Sequence, residues 1–103
     1  MTGGSAGLAR LDELRRRIDE LDEALVALLN ERSACALAIG ELKREFGLPI
    51  YQPERERAVL AHARSLGGGP LEADAVARLF ERIIDEARRL ERLANAEPDG
   101  GLQ

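Results

Sequence analysis

Apolar residues recur every three or four positions from Leu8 to Phe46, a stretch without proline. Leu11, Leu14, Ile18, Leu21, Leu25 and Leu28 are followed by Cys35, Ile39, Leu42 and Phe46. That rhythm is the period of an α-helix, and it predicts one helix over residues 7–46, about 60 Å long at 1.5 Å per residue. Gly47 suits the C′ position of that helix, and Pro49 prevents its continuation. Pro53, followed by Glu54 and Glu56, opens a second helix over 53–66, where proline and acidic side chains suit the first turn. Gly67-Gly68-Gly69-Pro70 breaks the chain again. A third helix, 72–94, is expected from Val76, Leu79, Phe80, Ile83, Ile84, Ala87 and Leu90. No window alternates with period two over a strand's length, so the fold class expected is all-α.

The expected organisation is a domain over 7–95 between loose ends at 1–6 and 96–103, both rich in glycine or turn formers. A 103-residue chain forms one domain, with a radius of gyration of about 13 Å when compact. Such a protomer cannot cover a 60 Å helix along its length. A second copy is expected to do so, giving a bundle of two interlocked protomers.

Composition narrows the function. Apolar residues are 45%, charged residues 33% and aromatic residues 3%, as in a soluble domain with an aliphatic core. A net charge of −4 argues against nucleic-acid binding. No apolar run is long enough to span a membrane. Met1-Thr2-Gly3-Gly4-Ser5 lacks the basic-then-apolar pattern of a signal peptide, so the expected compartment is the cytoplasm. The single cysteine, Cys35, reads as a small buried hydrophobe on the core stripe rather than a nucleophile. His62, the one histidine, reads as solvated. No metal-ligand cluster, phosphate loop or Ser/His/Asp set stands out, so no cofactor or metal is expected.

A few charged residues fit a plain bundle poorly. A heptad begun at Leu11 places Arg32 at a core position, where a guanidinium is costly unless matched. The bland alternative is an edge arginine that snorkels to water or sets the helix register. Lys43 follows Arg32 by eleven residues and points within about 20° of it, roughly 16 Å along the axis. The two could grip an anion between helices or be unrelated surface cations. Glu91 continues the Phe80–Ile84–Ala87 stripe, or else is an exposed carboxylate at a helix end. Arg55 and Glu56 border the apolar face of the second helix, or simply pattern its start.

Taken in order, Arg15-x-x-Ile18-Asp19-x-x-Asp22, Leu28-Leu29-x-x-Arg32, Ile39-Gly40-x-x-Lys43, Pro49-Ile50-Tyr51-x-Pro53-Glu54-Arg55-Glu56, Phe80-x-x-Ile83-Ile84 and Glu91 resemble the AroQ-type chorismate mutase domain over residues 8–94. The resemblance implies a three-helix protomer with a long first helix, an intertwined homodimer, and cofactor-free rearrangement of chorismate to prephenate. It implies that Arg15 of the partner chain and Arg32 pair with the substrate's two carboxylates, a task suited to the planar guanidinium fork. By the same resemblance Arg55 adds positive charge, Glu56 accepts a hydrogen bond from the ring hydroxyl beside Gln52, and Lys43 and Glu91 flank the breaking ether bond. Three positions depart from the family's usual residues. Ala87 stands where some members carry serine, Gln52 where some carry aspartate, and Glu91 where others carry glutamine. An isochorismate pyruvate lyase and an aminodeoxychorismate mutase share the fold. A non-catalytic domain that docks onto another shikimate-pathway enzyme is the alternative from a different class.

Overall fold

The computed structural model describes residues 2–101 and contains three helices: α1 (Thr2–Glu45), α2 (Pro53–Ser65) and α3 (Ala73–Gly101). Among the described residues there is no strand, as the periodicity requires. α1 begins before the expected residue 7 and α3 continues past 94. Gly4 and Gly7 are carried inside α1 because a helical glycine costs roughly 1 kcal/mol but clashes with nothing. Of the expected loose ends, Met1, Leu102 and Gln103 lie outside the described residues. No helix among the described residues is long and apolar enough to cross a membrane.

The chain divides into two compact units, Met1–Arg32 and Ser33–Gln103. The first is the N-terminal part of α1. Its apolar stripe is exposed in the protomer: Leu11, Leu14, Ile18, Leu21, Leu25 and Leu28 all present their side chains to solvent.

The second unit holds the end of α1 together with α2 and α3. Its helices stop and start where local chemistry dictates. The N–H of Leu48 donates to the carbonyl of Lys43 at 2.8 Å, and that of Gly47 to Arg44 at 3.3 Å. This pair is a Schellman cap, with Gly47 in the left-handed region at φ 68°. Lys43 and Arg44 in the last turn suit the negative end of the helix dipole. At α2 the N-cap Gln52 makes no side-chain cap, and Pro53 opens the first turn. The N–H of Glu56 donates to the Gln52 carbonyl at 3.2 Å.

α2 and α3 pack against each other. Among their described residues Ala63, Ala77 and Ile84 are buried, and the two alanines let the helices approach. The connection is equally tight. A Cβ on Gly67 would lie 2.8 Å from the backbone of Ala73, a distance that real Cβ atoms do not tolerate. At the far end of this pair Arg64 donates to Asp74. Cys35 is exposed in the protomer, contrary to the expected burial: none of the described residues covers it.

Candidate functional site

The last turns of α1, the loop after them, the start of α2 and the middle of α3 bring a set of charged groups together. Lys43 is placed by the Schellman cap that ends α1. Its Nζ donates to the carbonyl of Ile50 at 3.0 Å, which ties the loop to the helix. The same Nζ stands 3.9 Å from Glu91 Oε2. The Lys43 and Glu91 side chains are only 13% and 12% exposed. Gly40, one turn before Lys43 and itself buried, makes room for this approach. A Cβ there would sit 3.5 Å from Glu91 Cγ, so alanine would just touch and a larger side chain would displace the carboxylate.

Glu56 is the second anchored carboxylate. Arg88 Nε donates to its Oε2 at 2.7 Å, and Arg88 Nη2 donates to its Oε1. The hydrogen bond from Arg88 holds the Glu56 carboxyl below the usual carboxylate range. Burial works in the opposite direction, and the charges of Arg88 and Lys43 reinforce the lowering. The same pairing raises Arg88 above its ordinary value. Tyr51, in the loop, lies under the guanidinium, with Cζ 5.8 Å from the ring centroid.

Of the residues singled out in the sequence, the second unit therefore gathers Lys43, Glu56 and Glu91. Gln52 caps α2 beside them and is half-buried, and Ala87 is half-buried one turn before Glu91. Arg55 is exposed in the first turn of α2. Arg15 and Arg32 lie in the first unit, Arg15 exposed and Arg32 half-buried. Seventeen residues of helix separate them by about 25 Å and about 100° around the axis. One protomer's helix thus turns its two arginines toward different surroundings.

Arg88 was not among the residues the sequence suggested. Its only signal was its place four residues after Ile84, at the flank of the apolar stripe. Its partner is on another helix, and no local spacing marks such a pairing.

The arrangement defines a helical domain with a partly covered, mixed-charge site. Residues 14–92 match the family described as chorismate mutase type II, and the chain belongs to that family. A chorismate mutase from Thermus thermophilus is similar in structure, with TM-score 0.77 and 34% identity, over 81% of this chain and 94% of that one. A Helicobacter pylori chorismate mutase solved in complex with prephenate matches with TM-score 0.78 and 30% identity, over 86% of this chain and 97% of that one. A bifunctional chorismate mutase/prephenate dehydratase from Neisseria gonorrhoeae is 45% identical over 86 residues, 80% of this chain and 23% of the relative. The chain thus spans about a quarter of the length of the bifunctional relatives it matches.

Proposed function

We propose that this protein is a chorismate mutase that rearranges chorismate to prephenate without a cofactor, as a homodimer in the cytoplasm. The observation that supports this most is the covered Lys43–Glu91 pair, 3.9 Å apart, in a chain of the type II chorismate mutase family. The reaction is an intramolecular [3,3] rearrangement. One ether C–O bond breaks, one C–C bond forms, and no proton is transferred. Rate comes from holding the chair-like conformer and from stabilising negative charge that grows on the ether oxygen.

In this reading Arg32 and the partner's copy of Arg15 hold the two carboxylates. Arg55 adds positive charge, and Gln52 and Ala87 line the pocket. Glu56 accepts the ring hydroxyl's proton in a hydrogen bond. An ammonium has three donors. Ile50 takes one from Lys43, leaving others for the ether oxygen. Glu91 flanks the same oxygen.

The exposed Leu11–Leu28 stripe supports the dimer. A protomer in which, among the described residues, only Ala63, Ala77 and Ile84 are buried hydrophobics gains the rest of its core from a second copy. Relatives whose names join chorismate mutase to prephenate dehydratase favour one further reading, docking onto another shikimate-pathway enzyme.

Incubation with chorismate should give prephenate. Incubation with isochorismate should give no salicylate or pyruvate; their appearance, without prephenate from chorismate, would replace the mutase reading with a lyase.

A further inference from the structure

We propose that Arg88 is a positioning residue that holds the Glu56 carboxylate by both oxygens and offsets its charge, so that the site accepts a neutral ring hydroxyl in preference to an ammonium. This rests on the mutase reading and concerns which substituent the ring carries.

The grip is two-pronged. Nε meets Oε2 at 2.7 Å, and Nη2 meets Oε1. A guanidinium bound this way fixes the plane of the carboxylate as well as its distance. Arg88 is itself restrained. Its Nη1 donates to Asp85 at 3.2 Å, and Tyr51 lies beneath the guanidinium. Lys43 in turn ties down the loop that carries Tyr51, through the Ile50 carbonyl. The orientation of Glu56 therefore depends on α3 and on the loop together.

The consequence for recognition follows from lone pairs and charge. A carboxylate has about four acceptor positions, and the fork occupies one on each oxygen. The remainder suffice for a hydroxyl donor. Arg88 from α3 and Lys43 from α1 act on Glu56; Asp85 on α3 and Tyr51 in the loop act on Arg88 in turn, and Arg55 and Arg57 adjoin Glu56 in sequence on α2. A neutral hydroxyl loses nothing in that company. An ammonium would approach a carboxylate already paired with a fixed guanidinium and would meet like charge at close range. Selectivity thus contains a repulsive element as well as an attractive one.

A merely structural brace between α2 and α3 is the competing account. The molecule contains such a brace elsewhere: Arg64 and Asp74 join the same two helices, both well exposed. Arg64→Met therefore serves as the control for loss of an inter-helix ion pair.

The test uses the full chain, with chorismate and with the analogue bearing an amine in place of the ring hydroxyl (4-amino-4-deoxychorismate). Wild type, Arg88→Met, Arg88→Lys and Arg64→Met are compared by kcat and KM across pH. Wild type should turn over chorismate. Arg88→Met should lower kcat/KM on chorismate, and its chorismate-to-amine preference should fall by about tenfold or more. The acid limb of its pH profile should also move to higher pH, because Glu56 then protonates more readily. Arg88→Lys should keep the preference, since the charge remains, but lose part of kcat/KM, since the fork is gone. Arg64→Met should change none of these.

An Arg88→Met protein with unaltered preference and pH profile would reduce Arg88 to a brace and overturn the inference while the mutase reading stands. If Arg88→Met does not fold, Arg88→Lys decides: wild-type kcat/KM there overturns the positioning role. A wild type that forms no prephenate removes the mutase reading and, with it, this inference.

Discussion

Lys43 and Glu91 face each other across α1 and α3 at 3.9 Å, each almost covered by the protomer. Neither is neighboured by the other in sequence. The Ile50 carbonyl accepts from the lysine Nζ at 3.0 Å and fixes where it points. A fixed cation in a partly water-excluded position is worth most to charge that appears only in the transition state.

Lys43→Ala should therefore lower kcat by about a hundredfold or more and change KM much less. Steady-state kinetics on chorismate check this. A variant altered only in KM would mean that Lys43 binds a carboxylate of the ground state.

In the proposed reading Glu91 flanks the ether oxygen, and an ionised carboxylate has no proton to donate to it. Glu91→Gln supplies a permanent amide donor of the same shape. Its kcat on chorismate near neutral pH should be kept or raised. A large loss of kcat in Glu91→Gln would remove the donor role at the reacting oxygen.

Arg15→Ala and Arg32→Ala should each be nearly inactive. A mixture of the two, after subunit exchange in mild denaturant, should recover activity, because one site of the heterodimer holds both arginines. Their separation of about 25 Å along one helix motivates the expectation. Mixtures that stay inactive despite exchange shown by mass spectrometry, or an active monomer in sedimentation, would rule out a shared site.

The pairing of Glu56 with Arg88 links stability to pH. The folded-state carboxyl titrates below its unfolded value, chiefly through the Arg88 hydrogen bond. Its contribution is then complete above the unfolded pKa and disappears as pH falls through the folded one. Denaturant melts of wild type and Glu56→Gln should differ at neutral pH, on the order of 1 kcal/mol or less for a partly exposed pair. The difference should shrink in acid.

Gly67→Ala should destabilise the protein by about 1–3 kcal/mol, because its Cβ would collide with backbone at Ala73, which cannot rotate away. Gly47→Ala meets no neighbour but must hold a left-handed conformation, at a cost of roughly 1–2 kcal/mol. Thermal melts of both variants measure these costs.

Much of the architecture is a local matter and was legible in order along the chain. The 3.6-residue rhythm of Leu11 to Phe46, the Gly47–Pro49 stop, Pro53 at the start of α2 and the glycine run before α3 each act within a turn or two of themselves. Lys43 and Glu91 could be singled out for the same reason: each is a charge on an apolar stripe, which periodicity alone reveals. What periodicity cannot state is which stripe meets which. The approach of Glu91 to Gly40, the collision that keeps Gly67 a glycine, and the grip of Arg88 on Glu56 are contacts between different helices. Arg88 shows the limit most clearly. On its own helix it is an ordinary arginine with Asp85 three residues before it. Its partner becomes visible only when α2 is laid on α3, because an ion pair is decided by distance in space, and helix packing alone sets that distance.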